Sequence, residues 1–160
     1  MKNNYFILLI TAILIIGLQA YFPAVTVSNV SLTPDLILVF LTFVAISNGP
    51  FYATLIGFIL GFVQDFTTQV YLLGTFSFVK SLNGYILGSL YQYHQIWTKK
   101  VRFLLVIGCY FLHFLIYYYI LFAGNPGAII TILKLATIHS LINFIIFLLT
   151  DKILFNSRFA

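Results

Sequence analysis

Long apolar runs, each ended by a few polar or charged residues, follow one another along almost the whole of this chain. Of its 160 residues, 62% are apolar and only 7% are charged. A soluble domain carries roughly 25% charged residues, because it needs them to cover its surface. One core cannot bury so many apolar side chains, so the excess must face lipid. The sequence therefore predicts an integral membrane protein.

The basic excess of the chain is also typical of a membrane protein. Eight Lys and Arg residues stand against three Asp and no Glu, which gives a net charge of +5. These charges sit mostly at the ends of apolar runs, where they orient a membrane protein, and not in a groove with interleaved aromatic residues. We therefore expect membrane lipid as a partner and no nucleic acid. The single cysteine, Cys109, excludes an intramolecular disulfide.

The apolar runs predict a compact all-α bundle of about six transmembrane helices, within one polytopic domain that covers residues 1–160. The first run lacks a small-x-small cleavage site, so we interpret it as an uncleaved span. Helices two and three are expected to be short, at about 14 residues or roughly 21 Å each, against a hydrocarbon core of about 30 Å. The predicted helices cover approximately residues 5–21, 36–47, 51–63, 75–93, 102–122 and 128–150.

The boundaries of helix two carry clear signals. Thr33 is expected to be its cap, with Pro34 at the first helical position and Asp35 facing the positive end of the helix dipole. The helix is expected to stop at Asn48-Gly49-Pro50. Residues 34–65 then either cross the membrane twice, with local thinning of the bilayer, or form a re-entrant hairpin sheltered by neighbouring helices. The sequence leaves both possibilities open.

The distribution of basic residues predicts the orientation. With six spans, the N-terminus, the connection after helix four and the C-terminal tail lie on the same side of the membrane. Because basic connections stay in the cytoplasm, we expect both termini to be cytoplasmic. Six of the eight basic residues fall on this side: Lys2, Lys99, Lys100, Arg102, Lys152 and Arg158.

A polar cluster is predicted at the outer end of the bundle, beside Pro34. Asp35 begins helix two, Asp65 ends helix three, and Lys80 and Lys134 each lie within the first two turns of a helix that begins outside. A charge within a span is costly unless it is paired or hydrated. We therefore expect at least one Asp–Lys pair here. The alternatives are lysines that extend outward to the membrane surface, or a surface for a partner or ligand.

Small residues line one face of two predicted helices. At intervals of three or four residues, they let two helix backbones approach closely in lipid. Such a stripe serves either to pack the chain's own helices or to dock a helix of another protein. The positions are Gly57 and Gly61 on helix three, and Ser77, Ser81, Gly84 and Gly88 on helix four.

No catalytic, cofactor or metal site is predicted, and we expect the protein not to be an enzyme. His113 and His139 fall near mid-membrane, but no carboxylate within helices five and six accompanies them. The HExxH, Walker and nucleophile-elbow motifs are absent. We interpret the two histidines as partners in hydrogen bonds between helices.

Several short motifs occur in a characteristic order between residues 34 and 93. They are Pro34-Asp35-Leu36-Ile37-Leu38, Asn48-Gly49-Pro50, Gly57-Phe58-Ile59-Leu60-Gly61, Asp65, Leu72-Leu73-Gly74 and Asn83-Gly84-Tyr85. In this order and spacing the chain resembles the MreD family, the small polytopic proteins of the bacterial rod-shape system.

The resemblance implies a non-enzymatic component of the bacterial inner membrane. Members of this family associate with MreC, and the complex couples MreB filaments to a RodA-type glycosyltransferase and a penicillin-binding protein. The resemblance also implies a fold similar to the substrate-binding subunits of energy-coupling-factor transporters. The alternative function is that of a vitamin-binding transporter subunit, which needs an aqueous pocket and a small-xxx-small stripe on helix one.

Overall fold

A computed structural model describes residues 5–27, 30–68, 73–124 and 126–154 of the chain. Within these ranges the chain forms six α-helices, as predicted, together with one β-hairpin and one 3-10 turn at Pro126–Ala128. Predictions that involve Lys2, Leu72 and Arg158 fall outside the described residues. The elements are α1 Tyr5–Tyr21, β1 Val25–Val27, β2 Val30–Leu32, α2 Leu36–Asn48, α3 Pro50–Thr68, α4 Thr75–Gln92, α5 Lys99–Leu121 and α6 Ile129–Leu154.

Three of these helices are long and apolar enough to cross a membrane. The qualifying segments are Pro50–Thr67 in α3, Lys99–Leu121 in α5 and Ile129–Ile153 in α6, with mean hydropathies of 1.2, 2.0 and 2.0. Helix α2 is short, as predicted, since its 13 residues span about 20 Å. The described part of the bundle thus combines full-length spans with a helix that covers only part of the membrane.

Helix α3 is longer than the sequence predicted. It contains 19 residues and spans about 28 Å, so the expectation of a short third helix is wrong. The predicted end at Gln64 and Asp65 is wrong because both side chains are buried inside the bundle, where the Asp65 carboxylate accepts hydrogen bonds from the start of α4. A charged residue that is satisfied by a neighbouring helix does not end its own helix.

The segment between α1 and α2 contains a short antiparallel hairpin, which the all-α prediction did not include. β1 pairs with β2 in a register that places Val25 opposite Leu32 and Thr26 opposite Ser31. β-Branched residues favour such strands. The hairpin leads directly into Thr33 and the start of α2.

Helix α2 lies at the centre of the bundle. It packs against α1, α3, α4 and α6, and its Thr42 hydroxyl lies 2.8 Å from the Tyr110 hydroxyl of α5. A helix that is apolar all round is stable only when its neighbours or lipid surround it. The buried side chains of α2 are Ile37, Leu38, Val39, Leu41, Thr42, Val44 and Ala45.

The surrounding helices present large apolar side chains on the outside of the bundle. The exposed fraction reaches 60% for Leu14 on α1, 71% for Leu104 on α5 and 80% for Ile130 on α6. A soluble monomer rarely exposes a contiguous apolar surface of this extent. These faces therefore contact the acyl chains of the bilayer.

Candidate functional site

The site is built around the N-terminus of α2, which lies inside the bundle. Asp35 is the N-cap, and its Oδ1 atom accepts a hydrogen bond of 2.9 Å from the backbone N–H of Leu38. The prediction that Thr33 caps this helix is therefore wrong. Helix α2 is about 20 Å long, and residues of α1, α4 and α6 surround its first turn. Polar backbone groups inside the bundle need partners from the protein.

Gln19 of α1 supplies two of these partners. Its Nε2 atom donates to the carbonyl oxygen of Pro34 at 2.9 Å, and its Oε1 atom accepts from the backbone N–H of Leu36 at 2.7 Å. One amide side chain thus satisfies a backbone donor and a backbone acceptor at the start of α2, where the helix itself supplies no partner for them.

Two residues of α6 complete the arrangement from the opposite side. The Oδ1 atom of Asn143 accepts from the backbone N–H of Asp35 at 2.9 Å, and His139 Nε2 lies 2.9 Å from the Thr33 carbonyl oxygen. Since a carbonyl only accepts, His139 Nε2 carries the proton. His139 Nδ1 then bonds the Tyr118 hydroxyl at 3.0 Å. We call Gln19, His139 and Asn143 the α2 clamp.

Next to the clamp lies a buried ion pair. Lys80 of α4 reaches the Oδ2 atom of Asp35, and the Nε2 atom of His113 lies 3.5 Å from the same oxygen. Lys80 and Asp35 are 0% and 3% exposed, and the Lys80 Nζ atom lies 5.3 Å from the centre of the Phe76 ring. We call Asp35, Lys80 and His113 the ionic centre. Asp35 and Lys80 thus form an Asp–Lys pair, and its place in the outer half of the membrane stays a prediction.

Asp65 forms hydrogen bonds at the start of α4. Its carboxylate accepts hydrogen bonds from the backbone N–H groups of Gly74, Phe76 and Ser77 at 3.0–3.1 Å, and from the Ser77 hydroxyl at 2.8 Å. The N-terminus of a helix carries free N–H groups and a partial positive charge, so a carboxylate stabilises it. Asp65 thereby caps α4 from the neighbouring helix α3.

The structure separates the other predicted members of the polar cluster. Pro34 is buried beside Asp35, and its carbonyl oxygen belongs to the clamp contacts. Lys134 is exposed on α6, whereas Asp35 pairs with the buried Lys80 of α4. The four charges predicted to gather at one end therefore divide into a buried pair, a helix cap and an exposed lysine.

The predicted small-residue stripes lie between α3 and α4. A Cβ atom added to Gly57 would lie 2.6 Å from the Lys80 carbonyl oxygen, and one added to Gly61 would lie 2.5 Å from the Phe76 carbonyl oxygen. Each distance is too short for any side chain, so the two backbones touch along the contact. Gly84 and Gly88 meet the backbone of Ala53 and Pro50 in the same way. We call Gly57, Gly61, Gly84 and Gly88 the glycine seam.

The two serines of the stripe do not share the role of the seam glycines. Ser77 is buried and bonded to Asp65, whereas Ser81 is half-exposed and its hydroxyl donates to the Phe78 carbonyl oxygen of its own helix at 2.8 Å. The glycine seam itself is occupied by the chain's own backbone. It therefore leaves no free face for a second protein.

A small cavity of about 50 Å³ opens beside Asp35. Its wall combines polar groups with aromatic rings, and the rings of Phe114 and His139 stack with their centres 3.7 Å apart. The residues that line it are Thr33, Asp35, Gln64, Phe76, Phe114, Tyr117, Tyr118 and His139.

Sequence reasoning missed two members of the clamp, Gln19 and Asn143. Each is a lone amide within an apolar run, and a polar side chain in a span is expected to have a structural or functional partner. That signal was available from the sequence. The sequence does not show, however, that both amides bond the backbone at the start of α2. It gives no indication that the backbone of Thr33, Asp35 and Leu36 needs partners from other helices.

The fold defines a class of protein: a polytopic helical membrane protein with a buried central helix. Within the described residues no group of three or more His, Cys, Asp or Glu side chains could hold a metal ion. The family model of the rod shape-determining protein MreD matches residues 1–153. The chain therefore belongs to the MreD family, which acts in rod-shape determination and is not a known enzyme family. No curated protein and no solved structure matches the chain.

Proposed function

We propose that this protein is a non-enzymatic scaffold of the cell-wall elongation complex in the bacterial inner membrane. As a single polytopic domain it binds an MreC-type protein and helps to couple MreB filaments to a RodA-type glycosyltransferase and a penicillin-binding protein, thereby regulating cell shape. One observation supports this most directly: the MreD family model matches residues 1–153 of a 160-residue chain.

The outward-facing helix surfaces support a role in lipid-embedded contacts. Since the glycine seam is filled from within, the surface for a partner's transmembrane helix lies on other faces. Helix α3 presents an aromatic row on its outer side, in which the Phe58 and Phe62 ring centres are 6.2 Å apart and those of Phe62 and Phe66 are 4.8 Å apart. Aromatic side chains contribute large contact areas to helix–helix and protein interfaces. We propose this row as the docking face.

Co-purification tests the proposal directly. The full-length protein, extracted in mild detergent, is expected to bring down an MreC-type protein co-expressed from the same organism. The double substitution Phe58→Ala and Phe62→Ala is expected to reduce the recovered partner by about tenfold, because it removes the central rings of the row. The matched control is Leu148→Ala with Leu149→Ala, two exposed residues on α6.

Two outcomes would contradict parts of the proposal. If the wild-type protein recovers no MreC-type partner although both are present in the membrane, the scaffold role fails. If the α6 control loses as much partner as the α3 variant, only the docking face is wrong. Unchanged cell shape after depletion of the protein would also argue against the role.

The cavity beside Asp35 is by itself too small for a vitamin-sized ligand. Pockets that bind small organic ligands enclose roughly 300–1,000 Å³, whereas this cavity has about 50 Å³. We further propose that the fold resembles that of the substrate-binding subunits of energy-coupling-factor transporters. Neighbouring genes for transporter ATPases, in place of MreB and MreC homologues, would favour the alternative.

A further inference from the structure

The cavity beside the ionic centre has the composition of a hydrated site. Its wall includes the Asp35 carboxylate, the His139 imidazole, the Gln64 amide and the Tyr118 phenol group. Empty cavities in proteins are lined by apolar groups, whereas cavities with several polar groups hold ordered water. A buried site with a carboxylate and an imidazole belongs to the second kind.

The volume agrees with a small cluster of water molecules. One water molecule needs about 10–15 Å³ of cavity volume, and this cavity has a volume of about 50 Å³. It therefore has room for about three or four water molecules. A larger organic ligand does not fit without movement of the aromatic walls.

The ionic centre provides an energetic reason for water. A charged pair within a membrane is stable only when it is well bonded or hydrated. His113 is fully buried, and neither of its ring nitrogens makes a hydrogen bond to any residue that the structure describes. Its Nε2 atom lies 3.5 Å from Asp35 Oδ2, which is beyond normal hydrogen-bond length. The two ring nitrogens of His113 are therefore polar atoms of the ionic centre to which the described residues give no hydrogen bond.

The cavity also reaches the surface of the bundle. Thr33 lines it and is itself exposed, at the point where the β-hairpin ends and α2 begins. We propose that this cavity holds water molecules that are continuous with the aqueous phase at Thr33, so that water reaches Asp35 and His139 inside the apolar bundle. The cavity is thus a hydrated inlet of the membrane domain, and it reaches the ionic centre at Asp35. The proposal is independent of the proposed function.

Cysteine accessibility tests the proposal, because thiol reagents attack the thiolate, which forms only where water is present. In purified full-length protein in lipid nanodiscs, Gln64→Cys on the cavity wall is expected to react with a small charged methanethiosulfonate. Its rate is expected to exceed that of Leu135→Cys by at least about tenfold. Leu135 is an equally buried position on α6, one turn from His139 and outside the cavity wall.

Two internal references make the result decisive. Thr33→Cys at the rim reports that the reagent is active, and the native Cys109, buried in the core, reports the background rate. If Gln64→Cys reacts no faster than Leu135→Cys while Thr33→Cys reacts fully, the inlet is not hydrated and the proposal fails.

A measurement on the wild-type protein avoids any effect of the substitutions on folding. In water-edited solid-state NMR, magnetisation from water is expected to reach the side chain of His139 at least about twice as fast as that of Phe147, which is buried on the same helix. Equal build-up for the two side chains would overturn the proposal. Either result leaves binding of an MreC-type partner unaffected, so the two proposals fail separately.

Discussion

At the scale of single residues, Asp35 carries an unusual number of contacts. Its Oδ1 atom caps α2, its Oδ2 atom pairs with Lys80, and its backbone N–H bonds Asn143. A short polar side chain at an N-cap is ordinary, but here it also neutralises the lysine of another helix. One residue, through its carboxylate and its backbone N–H, therefore joins α2, α4 and α6 at a single point.

Removal of one member of the buried pair is expected to destabilise the protein strongly. Lys80→Met leaves Asp35 as an uncompensated buried charge, and the loss of one partner of such a pair costs about 3–5 kcal/mol. The combined variant Lys80→Met and Asp35→Asn is expected to lose less than the sum of the two single variants. Thermal unfolding in detergent measures all three, with Lys134→Met on the exposed face of α6 as the control. Purely additive effects would show that the pair is not coupled.

The α2 clamp gives a second prediction at this scale. Asn143→Leu keeps the approximate volume but leaves the backbone N–H of Asp35 without its acceptor, which costs about 1–3 kcal/mol for a buried group. Detergent unfolding measures the loss. Thr137→Val, whose hydroxyl is exposed and bonds only the preceding turn of α6, serves as the control and is expected to change little. Equal stability of the two variants would refute the clamp.

The polar residues show what sequence reasoning can reach at this scale. The rule that a charge within a span needs a partner was sufficient to predict an Asp–Lys pair. Which lysine forms the pair depends on how each helix is rotated about its own axis. This rotation directs Lys80 inward and Lys134 outward. Rotation depends on packing between helices that are distant in sequence, and the nearly uniform apolar faces of α6 gave no signal for it.

At the scale of elements, the glycine seam fixes α3 against α4. Four glycines remove the side chains that would otherwise separate the two backbones, and dispersion contacts between close-packed helices replace them. The sequence predicted this pair of faces from spacing alone. It did not distinguish internal packing from docking of a partner, because the spacing is the same for both.

Substitution in the seam is expected to separate the two helices. Gly61→Leu places a branched side chain where a single Cβ atom would already lie 2.5 Å from the Phe76 carbonyl oxygen, so we expect loss of the folded protein in detergent. The smaller change Gly61→Ala is expected to cost about 1–3 kcal/mol through overpacking. Gly108→Leu on α5, with open space around it, is the control. Fluorescence-detected size-exclusion chromatography measures the folded fraction, and a monodisperse Gly61→Leu variant would contradict the prediction.

Element boundaries were predictable where local chemistry determined them. The end of α2 at Asn48 follows from Gly49, whose φ of 83° suits glycine, and from Pro50 at the first position of α3. The end of α3 was missed because its position depends on Asp65 and the start of α4, which are brought together only by the fold. The hairpin was missed because its strands are only three residues long.

At the scale of the whole molecule, four of the six basic residues that the structure describes lie at one end of the bundle. Lys99, Lys100 and Arg102 begin α5, and Lys152 lies in the last turn of α6, which runs antiparallel to it. Asn143 precedes Lys152 by nine residues on α6 and His113 follows Arg102 by eleven residues on α5, so the clamp and the ionic centre lie away from this end. If the basic end is cytoplasmic, as the positive-inside rule predicts, the hydrated inlet opens to the outer side.

Labelling with a membrane-impermeant thiol reagent tests this orientation. In intact cells, Ala123→Cys after α5 is expected to react, and Thr98→Cys before α5 is expected to react only after the cells are made permeable. Both positions are exposed, and the native Cys109 is buried, so the background is low. The opposite pattern would invert the topology and would place the ionic centre near the cytoplasmic surface.

The start of α2 within the bundle has a consequence for biogenesis. Its clamp joins the Thr33 carbonyl and the Asp35 N–H to residues that follow 106 and 108 positions later in the chain. During synthesis on the ribosome, these backbone groups have no partner from α6 until almost the entire polypeptide has been translated. The contacts of α6 with the start of α2 can therefore form only after α6 has been synthesised.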